Sequence, residues 1–100
     1  MRIIARRTLR EFWEQHPESE QPLKAWFDEA AKSSWRSFWD VKAMFPRASA
    51  VGNDRIVFRI KGNDYRLIVK INYEFETIFI KFVGTHAAYD KVDAATVNDY

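Results

Sequence analysis

A chain of 100 residues, 47% hydrophobic and 16% aromatic, is expected to form one domain (1–100) with ample apolar mass for a single core; this excludes a disordered chain. The absence of Cys excludes disulfides, a thiolate zinc site and a Cys nucleophile, and no run reads as a signal peptide or a membrane span, so cytoplasm is the expected compartment. The net charge is only +2 but unevenly spread: residues 1–10 hold four Arg and no acid, residues 11–40 seven acids against three bases, and residues 41–91 nine bases against five acids.

A basic face on a balanced domain suits a polyanionic partner, although a solvated mixed-charge surface gives the same totals. Along the chain, Arg2–Ala5 reads as a short strand. Thr8 is placed to cap the helix that follows, with Glu11 as its capping-box partner, and Leu9, Phe12 and Trp13 form an apolar stripe. Arg6, Arg7 and Arg10 sit near the start of this helix, where the dipole disfavours them, so they need an anion or an acidic partner. The helix should stop near His16-Pro17. Gln21-Pro22 opens a second helix with Leu23, Trp26, Phe27, Ala30 and Ala31 on its apolar face, and Ser33-Ser34 breaks it. Ser37 caps a short third helix, Phe38–Met44, which Pro46 ends; Ala48–Asp54 is a loop. Trp13 and Trp26 fit core stripes. Trp35 and Trp39 are placed to stack on each other, or one is exposed or covered by a partner.

Three strand-like runs follow, Arg55–Ile60, Tyr65–Asn72 and Thr77–Val83, joined by Lys61-Gly62-Asn63-Asp64 and Tyr73-Glu74-Phe75-Glu76. Alternation puts Ile56, Phe58, Ile60, Tyr65, Leu67, Val69, Ile71, Ile78, Ile80 and Phe82 toward the core of an antiparallel meander. The other face mixes Arg59, Arg66, Lys70 and Lys81 with Val57, Ile68, Phe79 and Val83, so it is half covered or binds something. Residues from Asp93 onward read as a helical turn or a mobile end. The fold class is α+β, β-α-α-(α)-β-β-β, an antiparallel sheet with helices packed on one face.

Four segments carry a resemblance: Val41-Lys42-Ala43-Met44-Phe45-Pro46, Arg55-Ile56-Val57-Phe58-Arg59-Ile60, Gly62-Asn63-Asp64-Tyr65-Arg66-Leu67 and Thr85-His86-Ala87-Ala88-Tyr89-Asp90-Lys91. In their order and spacing they resemble the HigB-type toxins of bacterial type II toxin–antitoxin pairs, within the RelE-like superfamily, over nearly the whole chain. The resemblance implies an endoribonuclease (mRNA interferase) that cleaves mRNA, typically on the translating ribosome, and arrests growth. It also implies inhibition by a HigA-type helix-turn-helix antitoxin, with DNA bound only through that antitoxin.

Metal-free RNA cleavage through the 2′-OH needs a base, an acid and cations for the phosphorane charge. His86 is the best candidate for proton transfer, with a packing role at the strand exit as the other possibility. Arg66 can take two phosphate oxygens with its fork, or form a surface ion pair with Asp64 or Asp90. Pairing of Tyr65 and Arg66 near Val83 and Gly84 would bring Arg66 toward His86, with Arg59 across the first hairpin on the same face. Tyr89, three residues after His86, stacks on a base, donates a proton or closes the core edge. Lys42 reaches phosphate or stays solvated, and Lys70 and Lys81 add diffuse attraction for an RNA backbone. His16 reads as a surface residue. No cofactor or metal is expected: there is no HxxxH or paired-carboxylate spacing. The competing reading is a non-catalytic RNA- or protein-binding module, an inactive toxin relative, using the same basic face.

Overall fold

A computed structural model describes residues 1–98; Asp99 and Tyr100, which end the tail, lie outside the described residues. The elements are β1 (Arg2–Ile4), α1 (Arg6–Gln15), a 3-10 turn (Pro17–Ser19), α2 (Glu20–Ala31), α3 (Phe38–Met44), β2 (Ser49–Ala50), β3 (Arg55–Ile60), β4 (Tyr65–Asn72), β5 (Thr77–Thr85) and α4 (His86–Tyr89). One sheet runs in the order β1-β5-β4-β3-β2. The meander β3-β4-β5 is antiparallel, as its alternation requires. The short β2 pairs with β3 inside the expected loop, and β1 lies parallel to β5 at the opposite edge, so the sheet as a whole is mixed.

The main core lies between one sheet face and helices α1 to α3. Leu9, Trp13, Leu23, Trp26 and Val41 meet Ile56, Phe58, Leu67, Val69, Ile71, Ile78 and Ile80 there. Each fully buried aliphatic side chain contributes roughly 1.5–3 kcal/mol by leaving water. Trp35 joins this core, packing against Phe45 and Phe58. It lies in the bend before α3, so it cannot stack on Trp39, which is 74% exposed.

Local chemistry sets the helix ends, in two cases without the expected side-chain cap. Helix α1 begins at Arg6 with Ala5 as its N-cap, so Thr8 lies inside the first turn and caps nothing. Glu11 instead accepts from Arg7 at 2.7 Å, and Arg10 pairs with Glu14 at 3.7 Å. Arg6 lies over the rings of Trp13 and Phe27. The N-terminal arginines thus have partners within the domain. Helix α2 ends where the Met1 ammonium donates to the carbonyls of Ala31 and Ser33, both at 2.8 Å, satisfying groups a helix end leaves open. Helix α3 spans the expected residues. Asp40 accepts from the Arg36 amide at 2.9 Å at its start, while the Ser37 side chain makes no capping bond.

In β5, Ile80 pairs with Val69 and Phe82 with Ile68, leaving Lys81 as the extra residue of a bulge. Strict alternation would put Phe82 on the main core and Val83 on the opposite face. The bulge reverses both: Val83 joins the main core, and Phe82 joins Val57 and Ile68 in a second apolar cluster. That cluster is covered by Ala88, Tyr89, Val92, Ala94 and Val97. The tail forms a helical turn here, with Val97 N donating to the Asp93 carbonyl at 2.8 Å. The face opposite the helices is therefore half covered by the chain's own C-terminal segment.

Candidate active site

The end of the β4–β5 ladder brings the main site candidates together. Tyr65 pairs with Thr85 and Arg66 with Gly84, in keeping with the register read from the turn length. Strand β5 then runs directly into α4, because the Thr85 hydroxyl accepts from Ala88 N at 3.1 Å and caps the turn. His86 becomes the first residue of α4 and Tyr89 its last. The His86 amide donates to the Asp64 carbonyl at 3.0 Å, tying α4 to the β3–β4 hairpin. That hairpin turns through positive φ at Lys61 (53°) and Gly62 (65°).

Arg66 is 6% exposed. Its Nη1 donates to the Asn63 carbonyl at 3.0 Å, and its guanidinium carbon lies 5.4 Å from the centre of the Tyr89 ring. It forms no ion pair with Asp64 or Asp90. Asp64 pairs with Lys61 at 3.1 Å, and Asp90 Oδ1 lies 3.6 Å from His86 Nε2. The His86 side chain is 46% exposed and open to a substrate. Arg59 is the cross-strand neighbour of Arg66. Gly84 leaves the space that the Phe82 ring fills. Tyr89 packs on the second apolar cluster, closing the core edge there, and its ring lies under the Arg66 guanidinium.

His86 also borders a cleft of about 480 Å³ at the helix side of the sheet end, shared with Glu18, Asn63, Asp64 and Tyr65. The buried Tyr65 hydroxyl donates to the Glu18 carboxylate. Burial, then this bond, pushes the Tyr65 phenol up to about 12, and the same bond holds the Glu18 carboxyl below its ordinary value. His16 stacks on Phe12 at 4.4 Å and meets Tyr65 edge-on, so it is half-buried against these rings, not a free surface residue. Sequence reasoning missed the Glu18–Tyr65 contact. Tyr65 carries a core signal, and nothing local links two residues 47 positions apart.

The remaining candidates lie elsewhere. Lys42 donates to the Ala48 carbonyl at 2.8 Å and holds the loop after α3. Lys70 stands four positions along β4 from Arg66, roughly 13 Å at strand rise. Lys81 is beside it, and both line a hollow with Phe79. The C-terminal segment packs between this pair and Arg66. Arg55 Nη1 donates to the carbonyls of Ala94 (3.3 Å) and Val97, Asn53 Nδ2 to that of Ala95 (3.0 Å), and Lys81 Nζ to Asn98 Oδ1 (3.2 Å). The basic face is thus split into an Arg59–Arg66 end, where Tyr89 packs and α4 starts at His86, and a Lys70–Lys81 end. Among the described residues, no helix is long and apolar enough to cross a membrane.

Comparison with known proteins gives a consistent result. A family model described as HigB_toxin, RelE-like toxic component of a toxin-antitoxin system, matches residues 19–92. That span holds α2, α3, the β2–β5 strands and α4, with Arg66, His86 and Tyr89 inside it. The chain is 27% identical over 92 residues to the mRNA interferase toxin HigB of Escherichia coli (strain K12), covering 90% of this chain and 88% of that protein. The mRNA interferases HigB of Escherichia coli O157:H7 and Shigella flexneri match to the same extent.

Proposed function

The chain belongs to the HigB family of RelE-like toxins, and on that premise we propose that it is the toxin of a type II toxin–antitoxin pair and an endoribonuclease that cleaves mRNA. The juxtaposition of Arg66, Tyr89 and His86 at one end of the sheet carries the assignment of the site. In the reaction the 2′-oxygen of one nucleotide attacks the adjacent phosphorus while the bond to the 5′-oxygen breaks. The 2′-OH proton passes to a base, and the leaving oxygen takes a proton from an acid. The products are a 2′,3′-cyclic phosphate and a 5′-hydroxyl. His86 performs one of the two proton transfers. Arg66 faces the phosphorane charge, and its neighbour Arg59 adds to the field. Tyr89 orients the Arg66 fork by stacking and offers its hydroxyl to the substrate. No metal or cofactor takes part in this scheme. Lys70 and Lys81 draw in the RNA backbone at the far end of the face, and Lys42 contributes at most from outside the site.

A HigA-type antitoxin restrains the toxin, the translating ribosome presents the mRNA, and both reside in the cytoplasm. DNA is reached only through the antitoxin.

One observation favours the second reading, a non-catalytic RNA- or protein-binding module. Arg66 is nearly buried and already has partners in Asn63 and Tyr89, as a structural arginine would. Primer extension on a defined mRNA in a purified translation system, with and without ribosomes, decides between them. The toxin reading predicts discrete cuts by the wild-type chain that need ribosomes and vanish in His86→Ala and Arg66→Ala. Cuts that survive both substitutions would overturn the site. No cleavage by folded wild-type protein in either setting would leave the binding module.

A further inference from the structure

At the end of the sheet remote from His86, the residues of one row face away from the helices. Ile4, Phe79, Lys70 and Arg55 are successive cross-strand neighbours on β1, β5, β4 and β3. Arg55 is held under the C-terminal segment. Among the described residues, none of the C-terminal segment covers the other three: Ile4 and Lys70 are exposed and Phe79 is half-buried. The Phe79 ring separates two hollows. One, of about 560 Å³, is shared with Lys70 and Tyr73; the other, of about 370 Å³, is shared with Ile4 and Arg7. Lys81 borders both, and its ammonium lies 5.8 Å from the Phe79 ring centre. The bulge at Lys81 keeps this lysine on the same face as Phe79 while Phe82 turns under the tail.

We propose that Phe79 is a stacking platform for one unpaired nucleobase of an RNA strand, with Lys70 and Lys81 meeting the flanking phosphates. A partly exposed aromatic ring bordered by lysines is what unpaired RNA binds, because every base has a stacking face and every linkage a negative charge. The hollow is not uniformly basic, since Asp54 and Glu74 line the Lys70 wall. The attraction is therefore that of the ring and its two lysines, not of a general positive field. The platform shares its sheet face with Arg66, roughly 13 Å away along β4, a distance a few nucleotides cover. The proposal rests on RNA being the substrate and extends the site beyond the cleaved linkage.

The test uses the full wild-type chain and a fully 2′-O-methylated RNA oligonucleotide, which cannot be cleaved through its 2′-oxygen. Binding is then read independently of catalysis. 2-Aminopurine is placed at each position in turn, and its fluorescence is followed with affinity. The expected result is quenching at one register that is lost in Phe79→Leu and retained in Phe79→Tyr. Affinity should fall on the order of 10-fold in Phe79→Leu, in keeping with the loss of one stacked base. Lys70→Glu, at an exposed position, should also weaken binding and guards against misfolding of the Phe79 variant. Equal quenching and affinity in wild type and folded Phe79→Leu would overturn the proposal. So would a Phe79→Leu chain that binds RNA normally but loses its antitoxin, which would assign the patch to a protein. Loss of cleavage by His86→Ala with this quenching intact concerns the reaction and leaves the platform standing.

Discussion

The guanidinium of Arg66 lies 5.4 Å from the centre of the Tyr89 ring, so a strand residue and a helix residue 23 positions apart in sequence form one unit. A desolvated contact of this kind is worth about 1–2 kcal/mol. Tyr89→Ala should lower stability by that amount and cleavage by about 100-fold, the cost typical of a misplaced reactive group. Tyr89→Phe should keep the stability, so any loss of rate in it reports the hydroxyl alone. Arg66→Lys should be nearly as inactive as Arg66→Ala, because a point charge cannot replace the planar fork. Single-turnover cleavage beside denaturant unfolding separates these outcomes.

Gly84 is constrained by packing. A Cβ there would stand 2.5 Å from the Cζ atom of Phe82 and 3.4 Å from the Ala88 side chain. Phe82 is buried against Val57 and Ile68 and has little room to withdraw. Gly84→Ala should cost about 1–3 kcal/mol by overpacking. It should also reduce cleavage beyond what its folded fraction accounts for, since the displaced α4 carries His86 and Tyr89. Unfolding curves with rates corrected for folded protein test both parts.

Burial of Tyr65, and its bond to Glu18, predict two pH limits. Tyr65, held up to about 12, keeps its proton in the folded chain after the unfolded chain has lost it near 10. This stabilisation is fully present below pH 10 and disappears as pH climbs toward 12. The Glu18 carboxyl is lowered from 4.5 chiefly by the same bond, so its contribution is present above pH 4.5 and is lost as pH falls through the lowered value. Tyr65→Phe should flatten both limbs of the stability–pH curve, and Glu18→Gln the acid limb. Chemical denaturation across pH checks this; an acid limb unchanged in both variants would show that the bond does not persist in solution.

Trp35 and Trp39 should behave oppositely. Trp35→Ala removes a ring packed on Phe45 and Phe58 and should cost about 3–5 kcal/mol. Trp39→Ser, at a position 74% exposed, should change stability by no more than about 0.5 kcal/mol. Equilibrium unfolding of the two variants reads the difference directly.

Much of this architecture is legible in the residues. Period-2 alternation set β3 and β4 to their observed ends, and the turn lengths brought Arg66 beside Gly84. Helix α3 follows from Phe38, Val41 and Phe45 with Pro46 behind them. What failed to show has physical causes. A bulge adds one residue without a sequence mark, so Phe82 and Val83 exchanged faces. The start of α1 at Arg6 overrode the capping signal of Thr8. At the site, His86, Arg66 and Tyr89 could be grouped because one hairpin and one helical turn join them. Glu18 could not, since its contact with Tyr65 depends on how α1 and α2 dock on the sheet. The half-covered basic face was recognisable from its mixed pattern, but not the Arg55 and Asn53 bonds that secure the cover.

If this chain cuts RNA through the 2′-oxygen at a site built from His86, Arg66 and Tyr89, the nucleotide on the 5′ side of each cut must carry its 2′-hydroxyl. The most direct measurement replaces the single nucleotide on the 5′ side of a mapped cut by its 2′-deoxy form and follows cleavage by the wild-type chain, with analysis of the new ends. This cut should disappear while neighbouring cuts persist, and the all-ribose substrate should yield a 2′,3′-cyclic phosphate and a 5′-hydroxyl. Cleavage of the deoxy substrate at the unmodified rate, or products bearing a 3′-hydroxyl, would contradict it.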